Sequence, residues 1–276
     1  LDKDKVIARK VVSDRGSSDE GEVVAICERG VKSLCGTLFS DRGRYFVRPD
    51  EKSYFEDIYI PAKRSGGAKP YDKVFADITR YTESGLIEGE VKEVLGKRFE
   101  LAAEEKSIIK AYKFKDFFPK AVVSEVADIP QKVADNQLID RLNLTGRLIV
   151  TIDGEDSRDF DDAVEVEKKE NGNYILCVHI ADVSEYVKAG SALDKEALKR
   201  SNSTYFPDKV IPMLPFELSN GICSLNEGVD RLTLSCIMEI DENGEVIDKK
   251  IAKSVIKSKR RMTYTEVQGI LDGDKK

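Results

Sequence analysis

Thr151-Ile-Asp-Gly-Glu-Asp-Ser-Arg-Asp-Phe-Asp-Asp-Ala163 sets four aspartates, Asp153, Asp159, Asp161 and Asp162, at the end of the apolar-rich run Arg147-Leu-Ile-Val-Thr-Ile152. Carboxylates crowded against buried strand residues lose hydration and repel one another, so the crowding is costly unless water surrounds them or a cation neutralises them. A hard, oxygen-seeking ion suits the pattern, because Mg2+ takes one or two carboxylates together with substrate phosphates. The stretch therefore points to metal-dependent phosphodiester chemistry. A solvated turn is the competing reading, since Asp, Gly and Ser also build turns. A calcium loop of the D-x-[DN]-x-[DN]-G-x5-E kind fails in both frames. Counted from Asp153, the required glycine falls on Arg158; counted from Asp159, it falls on Val164, with Ala163 in the third ligand position. Offsets of zero, six, eight and nine cannot share one helix face, whereas a loop between two strands can gather them.

The flanking sequence supplies those strands. Arg147–Ile152 reads as a strand that delivers Asp153. Asp162-Ala-Val-Glu-Val-Glu-Lys168 reads as a second, turning at Asn171-Gly172 into Tyr174-Ile-Leu-Cys-Val-His-Ile180. His179, the single histidine, lies in this alternating run and reads as a strand residue held by packing or hydrogen bonds rather than as a general base. Ser191 caps an expected helix through Arg200, with Asp194 in its first turn. A hairpin, Thr233–Ile240 with Glu245–Val255, turns at Asn243-Gly244. A last helix starts at Met262-Thr-Tyr-Thr-Glu-Val267 and stops at Asp272-Gly273. The mixed order favours α+β over a repeating βαβ scheme.

Upstream, residues 98–140 read as a linker with one helix, Phe118–Ala127, ended by Ile129-Pro130. Between residues 29 and 97, five short strands are expected, Leu34–Phe39, Arg44–Arg48, Asp57–Ile60, Lys73–Thr79 and Gly89–Leu95, punctuated by Gly and Pro. That pattern suits a small Greek-key barrel of the OB type, all β. Aromatic and basic residues alternate at Arg44, Tyr45 and Phe46, as they do where single strands stack on rings beside a positive groove. Period-2 alternation buries half of any such set, so Phe39 and Phe46 read equally as core. Residues 1–28 hold two more strands, Lys5–Val12 and Glu22–Cys27, around Ser13–Ser18.

Composition narrows the class. Of 276 residues, 41% are hydrophobic and 35% charged, as in soluble globular proteins, and a chain this long has room for about two domains. No apolar run is long enough to cross a membrane and no signal peptide is visible, so a cytoplasmic protein without a membrane partner is expected. The five cysteines are far apart, an odd number without a C-x-x-C pair, which argues against a zinc site or a disulfide framework. The net charge of −6 is unevenly spread. Residues 1–120 hold 24 Lys and Arg against 22 Asp and Glu, a net of +2, and 121–276 hold 21 against 29, a net of −8. The acidity travels with the aspartate loop, so the overall sign is weak evidence against a nucleic-acid substrate.

The aspartate spacing resembles the signature of the RNB family of exoribonucleases, and the resemblance continues in family order. It runs through His179-Ile-Ala-Asp-Val-Ser-Glu-Tyr-Val187, Tyr205-Phe-Pro207, Val210-Ile-Pro-Met-Leu-Pro215, Leu218-Ser-Asn220 and Cys223-Ser-Leu-Asn226. The resemblance implies an all-β cold-shock barrel at 29–97 and an α+β RNB catalytic domain from 141. Residues 1–28 would be the tail of a first cold-shock domain. It implies that Asp153, Asp159, Asp161 and Asp162 bind or orient Mg2+, with Mn2+ as the alternative, Asp161 being the least replaceable. Nucleoside 5′-monophosphates would be released hydrolytically and stepwise from the 3′ end of single-stranded RNA, with DNA not the main substrate and the protein a monomer. Tyr205, 52 residues after Asp153, matches a tyrosine that clamps RNA near the site by stacking, and Tyr264 resembles another that lines the channel. Each could instead only pack. Glu155, Asp156 and Arg158 read as solvated or supporting loop residues. Family members extend well past the position of Lys276, so the catalytic domain is expected to be incomplete and the chain inactive alone. The alternatives are an RNA-binding module with a structural or vestigial acidic loop, and a calcium-stabilised domain.

Overall fold

In a computed structural model, residues 3–11, 20–54, 56–82 and 85–273 are described. The chain divides into two compact units, Leu1–Lys115 and Asp116–Lys276.

The first unit opens with an antiparallel hairpin of β1 (Lys5–Val11) and β2 (Glu20–Glu28), exposed along its length. The turn expected at Ser13–Ser18, with Val12, lies outside the described residues. A closed barrel follows: β3 (Ser33–Asp41), β4 (Arg44–Pro49), β5 (Ile58–Ile60), β6 (Asp72–Tyr81) and β7 (Ile87–Lys97), in the order β3-β4-β5-β7-β6. Alternate residues point inward as the strand period requires, so Leu34 and Leu38, Val47, Ile58 and Ile60, Val74 and Ala76, and Ile87 and Val91 share one apolar core. Gly36 sits where β3 crosses β4: a Cβ there would stand 2.3 Å from the Arg48 carbonyl oxygen. The same parity corrects one expectation. Tyr45 turns inward with Val47 and packs on the core, so it is not an outward partner of Phe46.

The stretch 98–140 is divided between the units. Its first part forms α1 (Leu101–Ala111), which packs on β6 and β7 and buries Ala103, Glu105 and Ser107. Beneath it, buried Lys73 reaches Asp50 at 2.9 Å and Glu104 at 2.8 Å, and Ser107 donates to Asp50 at 2.7 Å.

The second unit begins with α2 (Lys120–Ala127). Its centre is a seven-stranded mixed sheet of β8 (Leu142–Asn143), β9 (Val150–Asp153), β10 (Asp162–Lys168), β11 (Tyr174–Ala181), β14 (Asp230–Ile240), β15 (Val246–Lys257) and β16 (Arg260–Thr263). Between β11 and β14 come α3 (Ala192–Arg200) and the short pair β12 (Thr204–Tyr205) and β13 (Val210–Ile211). The sheet order is β16-β9-β10-β11-β14-β15-β8, with the two outer pairs parallel and the rest antiparallel. Gly172 and Gly244 take positive φ in the two Asn-Gly hairpin turns. Ser191 caps α3 by accepting from the Asp194 N–H, and α4 (Tyr264–Leu271) carries a capping box of Thr263 and Glu266. Helices α2 and α3 pack together in an apolar cluster that includes Val122, Val126, Leu193 and Leu218.

One face of this sheet buries Ala163, Glu165, Cys177, His179, Thr233, Ser235 and Ser254; the other presents Val166, Ile180, Leu234 and Ile251 to solvent. The buried polar groups are bonded to one another: Thr233 to Ser254 at 2.7 Å, Ser235 to Ser254, and His179 Nδ1 to Ser235 at 2.6 Å. Arg141 and Asp182, both buried, pair at 2.6 Å.

Candidate active site

β9 ends on Asp153 and β10 begins on Asp162, so adjacent antiparallel strands deliver the first and last of the four aspartates. The loop between them is held by its one apolar residue. Phe160, 5% exposed, sinks among Ile149, Ala163, Ala181, Leu225 and Ile256.

Backbone bonds fix this arrangement. The Ser224 hydroxyl accepts the Phe160 N–H at 3.0 Å and donates to the Arg158 carbonyl at 3.0 Å. The Leu225 N–H donates to the Phe160 carbonyl at 2.9 Å, and the Ala181 N–H to that of Asp161 at 2.9 Å. The segment Cys223-Ser-Leu-Asn226 is therefore the strap under the acidic loop, a role its sequence alone does not disclose. Buried Arg231 holds the strap in turn through the Ser224 carbonyl at 2.8 Å.

β16 closes the other side. It runs parallel to β9, with Arg261 opposite Thr151 and Thr263 opposite Asp153. Arg261 donates to the carbonyls of Gly154, at 3.1 Å, and Glu155, and its guanidinium lies 5.2 Å from the Phe160 ring centroid. Glu155, Asp156 and Arg158 are exposed; Glu155 accepts from Thr265 at 2.6 Å.

The electrostatics are those of an under-compensated anion cluster. Partial burial, then the carboxylates of Asp159, Asp162 and Asp153, push the Asp161 carboxyl above its ordinary range, although the residue is exposed to solvent. Burial, with Asp162 and Asp159, also raises Asp153, and Arg261 only partly opposes this. The donor set is all oxygen, which suits a hard divalent ion. Among the described residues, no three of the four aspartates bring carboxylate oxygens within 4.8 Å of one another.

Tyr205, 67% exposed on β12, donates its hydroxyl to Asp159 at 2.7 Å; this bond, with burial, pushes the phenol up to about 12. Its ring stands at the edge of the acidic loop. Tyr264 is the first residue of α4, 63% exposed and next to Thr263.

His179 lies elsewhere on the sheet. Its ring is fully buried, and burial lowers its pKa to about 4. With Glu165 and Cys177 it forms a cluster whose ligand atoms lie within 4.8 Å. Arg147 already supplies a cation there, 2.6 Å from the Glu165 carboxylate and 4.0 Å from the Cys177 sulfur, so the group is compensated without a metal.

On the barrel, Arg44 is exposed and Phe46 faces outward. Phe46 is the middle of a three-ring row across β3, β4 and β5, with Phe39 5.6 Å away and Tyr59 5.8 Å away between centroids. Phe39, open to a core reading in the sequence, joins the outward row, and Tyr59 gives no sequence signal because ring alignment across strands depends on register, which strand propensity does not encode.

Comparison with known proteins agrees with this arrangement. The RNB domain family matches residues 141–276 and a cold shock domain family matches residues 46–119. Ribonuclease R of Thermotoga maritima is 47% identical over 276 residues, covering 99% of this chain and 39% of that protein. Ribonuclease R of Vibrio parahaemolyticus is 40% identical over 272 residues, covering 98% of this chain and 33% of that protein. This chain thus spans little more than a third of the length of these relatives. Among solved structures, Mycoplasma genitalium RNase R in complex with ribose methylated single-stranded RNA superposes with a TM-score of 0.84 at 26% identity, covering 99% of this chain and 44% of that one. With a cold-shock barrel ahead of a mixed sheet whose acidic loop keeps the four-aspartate spacing, the chain belongs to the RNB family.

Proposed function

We propose that this chain supplies the metal-binding loop and part of the RNA-binding surface of a hydrolytic 3′-to-5′ exoribonuclease that releases nucleoside 5′-monophosphates from single-stranded RNA. The observation that carries the reading is the loop 153–162, in which four aspartates are held together with one partly opposing cation, Arg261. Mg2+, or Mn2+ in its place, would be held by Asp153, Asp159, Asp161 and Asp162, and when bound it would supply positive charge to the scissile phosphate and acidify the attacking water. The residues of the chain do the rest. Ser224, Leu225 and Arg261 fix the loop backbone, so the carboxylates are oriented before substrate arrives. Tyr205, tethered through its hydroxyl to Asp159, offers its exposed ring as a stacking surface for a base next to the reacting phosphate. Tyr264, exposed at the start of α4, would take the same role. On the barrel, Phe46 with Arg44 would offer stacking and charge to single-stranded RNA. The reading extends to a monomeric cytoplasmic enzyme that prefers RNA to DNA.

The test is Asp161→Asn in a chimera in which this chain replaces its counterpart in the Thermotoga maritima ribonuclease R. Release of labelled monophosphate should fall by at least about 10²–10³-fold while RNA affinity persists. Unchanged turnover would sink the carboxylate assignment. The open spacing of the carboxylates supports a second reading, an RNA-binding module with a structural acidic loop. Mn2+ titration of the chain followed by electron paramagnetic resonance separates the two: uptake lost in Asp161→Asn supports the enzyme, and RNA binding without uptake supports the module.

A further inference from the structure

Two large aromatic residues of the barrel unit sit where neither folding nor solubility asks for them. Tyr71 has φ +73° and Phe99 φ +70°, the left-handed region that favours Gly or Asn, and their exposures are 66% and 80%. Each carries a backbone cost and an exposed ring, yet the turns that hold them are firmly bonded. The Tyr71 N–H donates to the Leu38 carbonyl at 2.7 Å, the Arg98 N–H to the Tyr71 carbonyl at 3.1 Å, and the Phe99 N–H to the Glu104 carboxylate at 3.0 Å. Strain kept in place by surrounding bonds, at exposed side chains, is a mark of ligand contact.

The two residues line one groove of about 580 Å³, whose walls include Phe39, Arg48, Lys73 and Arg98. The Arg98 guanidinium lies 4.3 Å from the Phe99 ring centroid, and that of Arg48 lies 4.7 Å from the Phe39 centroid. The groove is continuous with the outward row of rings, because Phe39 belongs to both. Its acidic groups are engaged: Asp50 and Glu104 both bind Lys73, and Arg48 pairs with Asp57. The surface offers flat rings and guanidinium planes rather than a run of uncompensated cations. That chemistry selects unpaired bases over phosphates.

We infer that Tyr71 and Phe99 form a base-stacking subsite on the barrel that extends the Phe39, Phe46 and Tyr59 row along a single-stranded RNA. The inference rests on the RNA reading above and adds two plates beyond the three strands that carry the row. Stacking, being largely indifferent to salt, should leave the salt slope of binding unchanged when a plate is removed, and each lost plate should weaken binding roughly 5- to 150-fold.

The test uses the 276-residue chain and a short, unstructured, fluorescein-labelled RNA. Tyr71→Asn and Phe99→Asn keep the left-handed backbone and remove the rings. They should weaken binding at constant salt slope, with the melting temperature held or raised because strain is relieved. The chain has no tryptophan, so Phe99→Trp installs a single indole in the subsite. Its emission should be quenched by RNA while affinity is kept. Unchanged affinity in the Asn variants, or unquenched emission from the F99W chain, while Phe46→Ala weakens binding, overturns the subsite and leaves the RNA reading standing. Absence of RNA binding by the unsubstituted chain overturns both.

Discussion

The barrel and the sheet unit solve the burial problem in opposite ways. The strands of the barrel enclose one apolar cluster, with the buried Lys73–Asp50–Glu104–Ser107 group set apart under α1, and the Phe39, Phe46 and Tyr59 rings sit on regular strands. The sheet unit buries a histidine, three hydroxyls and an arginine–aspartate pair on one face, exposes Ile180 and Ile251 on the other, and gathers its chemistry in an irregular loop. A stacking surface needs only flat rings at strand spacing, which regular alternation provides. A cluster of like charges must be held against its own repulsion, which takes a buried peg, a strap and an edge strand. Recognition in the barrel is therefore expected to survive local damage that the acidic loop does not.

The largest expected effect is on the peg. Phe160→Ala should cost the sheet unit about 3–5 kcal/mol and lower its melting transition, while the barrel transition stays in place in a calorimetric scan. Loss of both transitions together would show that the units are not independent. Next comes pH. A histidine whose folded pKa is depressed to about 4 from 6.5 gives stability that is complete above pH 6.5 and is lost as pH falls toward 4. The sheet unit should lose on the order of 3 kcal/mol across that window through His179. His179→Gln should flatten the pH slope of its denaturant midpoint and leave the barrel slope unchanged; an identical slope would discard the assignment.

Cutting the strap should do less. Ser224→Ala leaves the Phe160 N–H without its partner, and a loss of about 1–3 kcal/mol is expected. A weaker Mn2+ affinity should accompany it, because the loop is less ordered; full affinity would show that the carboxylates orient themselves. The smallest effect belongs to the barrel surface. Arg48→Gln removes an exposed pairing with Asp57, and the melting temperature should not move measurably.

The same contrast explains what could be read in advance. All five barrel strands lie close to where alternation and Gly and Pro punctuation put them, and the α+β character of the second unit followed from its hairpin turns and caps. Helix α1 reads as linker in the sequence because its buried side is Ala103, Glu105 and Ser107 while Leu101 and Ile108 face solvent, so it shows no apolar stripe. The run of basic and aromatic residues points to Tyr45 and Phe46 together, but adjacent strand residues face opposite ways and only Phe46 joins the outward ring row. In the candidate site, the resemblance points to the four aspartates and Tyr205, and the structure puts the Tyr205 hydroxyl on Asp159. The roles of Arg261 and Ser224 leave no local pattern, because each acts through backbone carbonyl or amide groups far away in the chain.

The parallel pairing of β16 with β9 also bears on when the loop can close during synthesis. Arg261 and Gly154 are 107 positions apart, and β10, β11, β14 and β15 all lie between them in the chain. A nascent chain emerging from the ribosome can zip the central hairpins from local contacts, but β9 keeps an open edge until residue 263 has been made. The acidic loop is then the last part of the sheet to lock, and a pause in translation before β16 would leave a folded barrel beside a sheet whose charged loop is still unclosed.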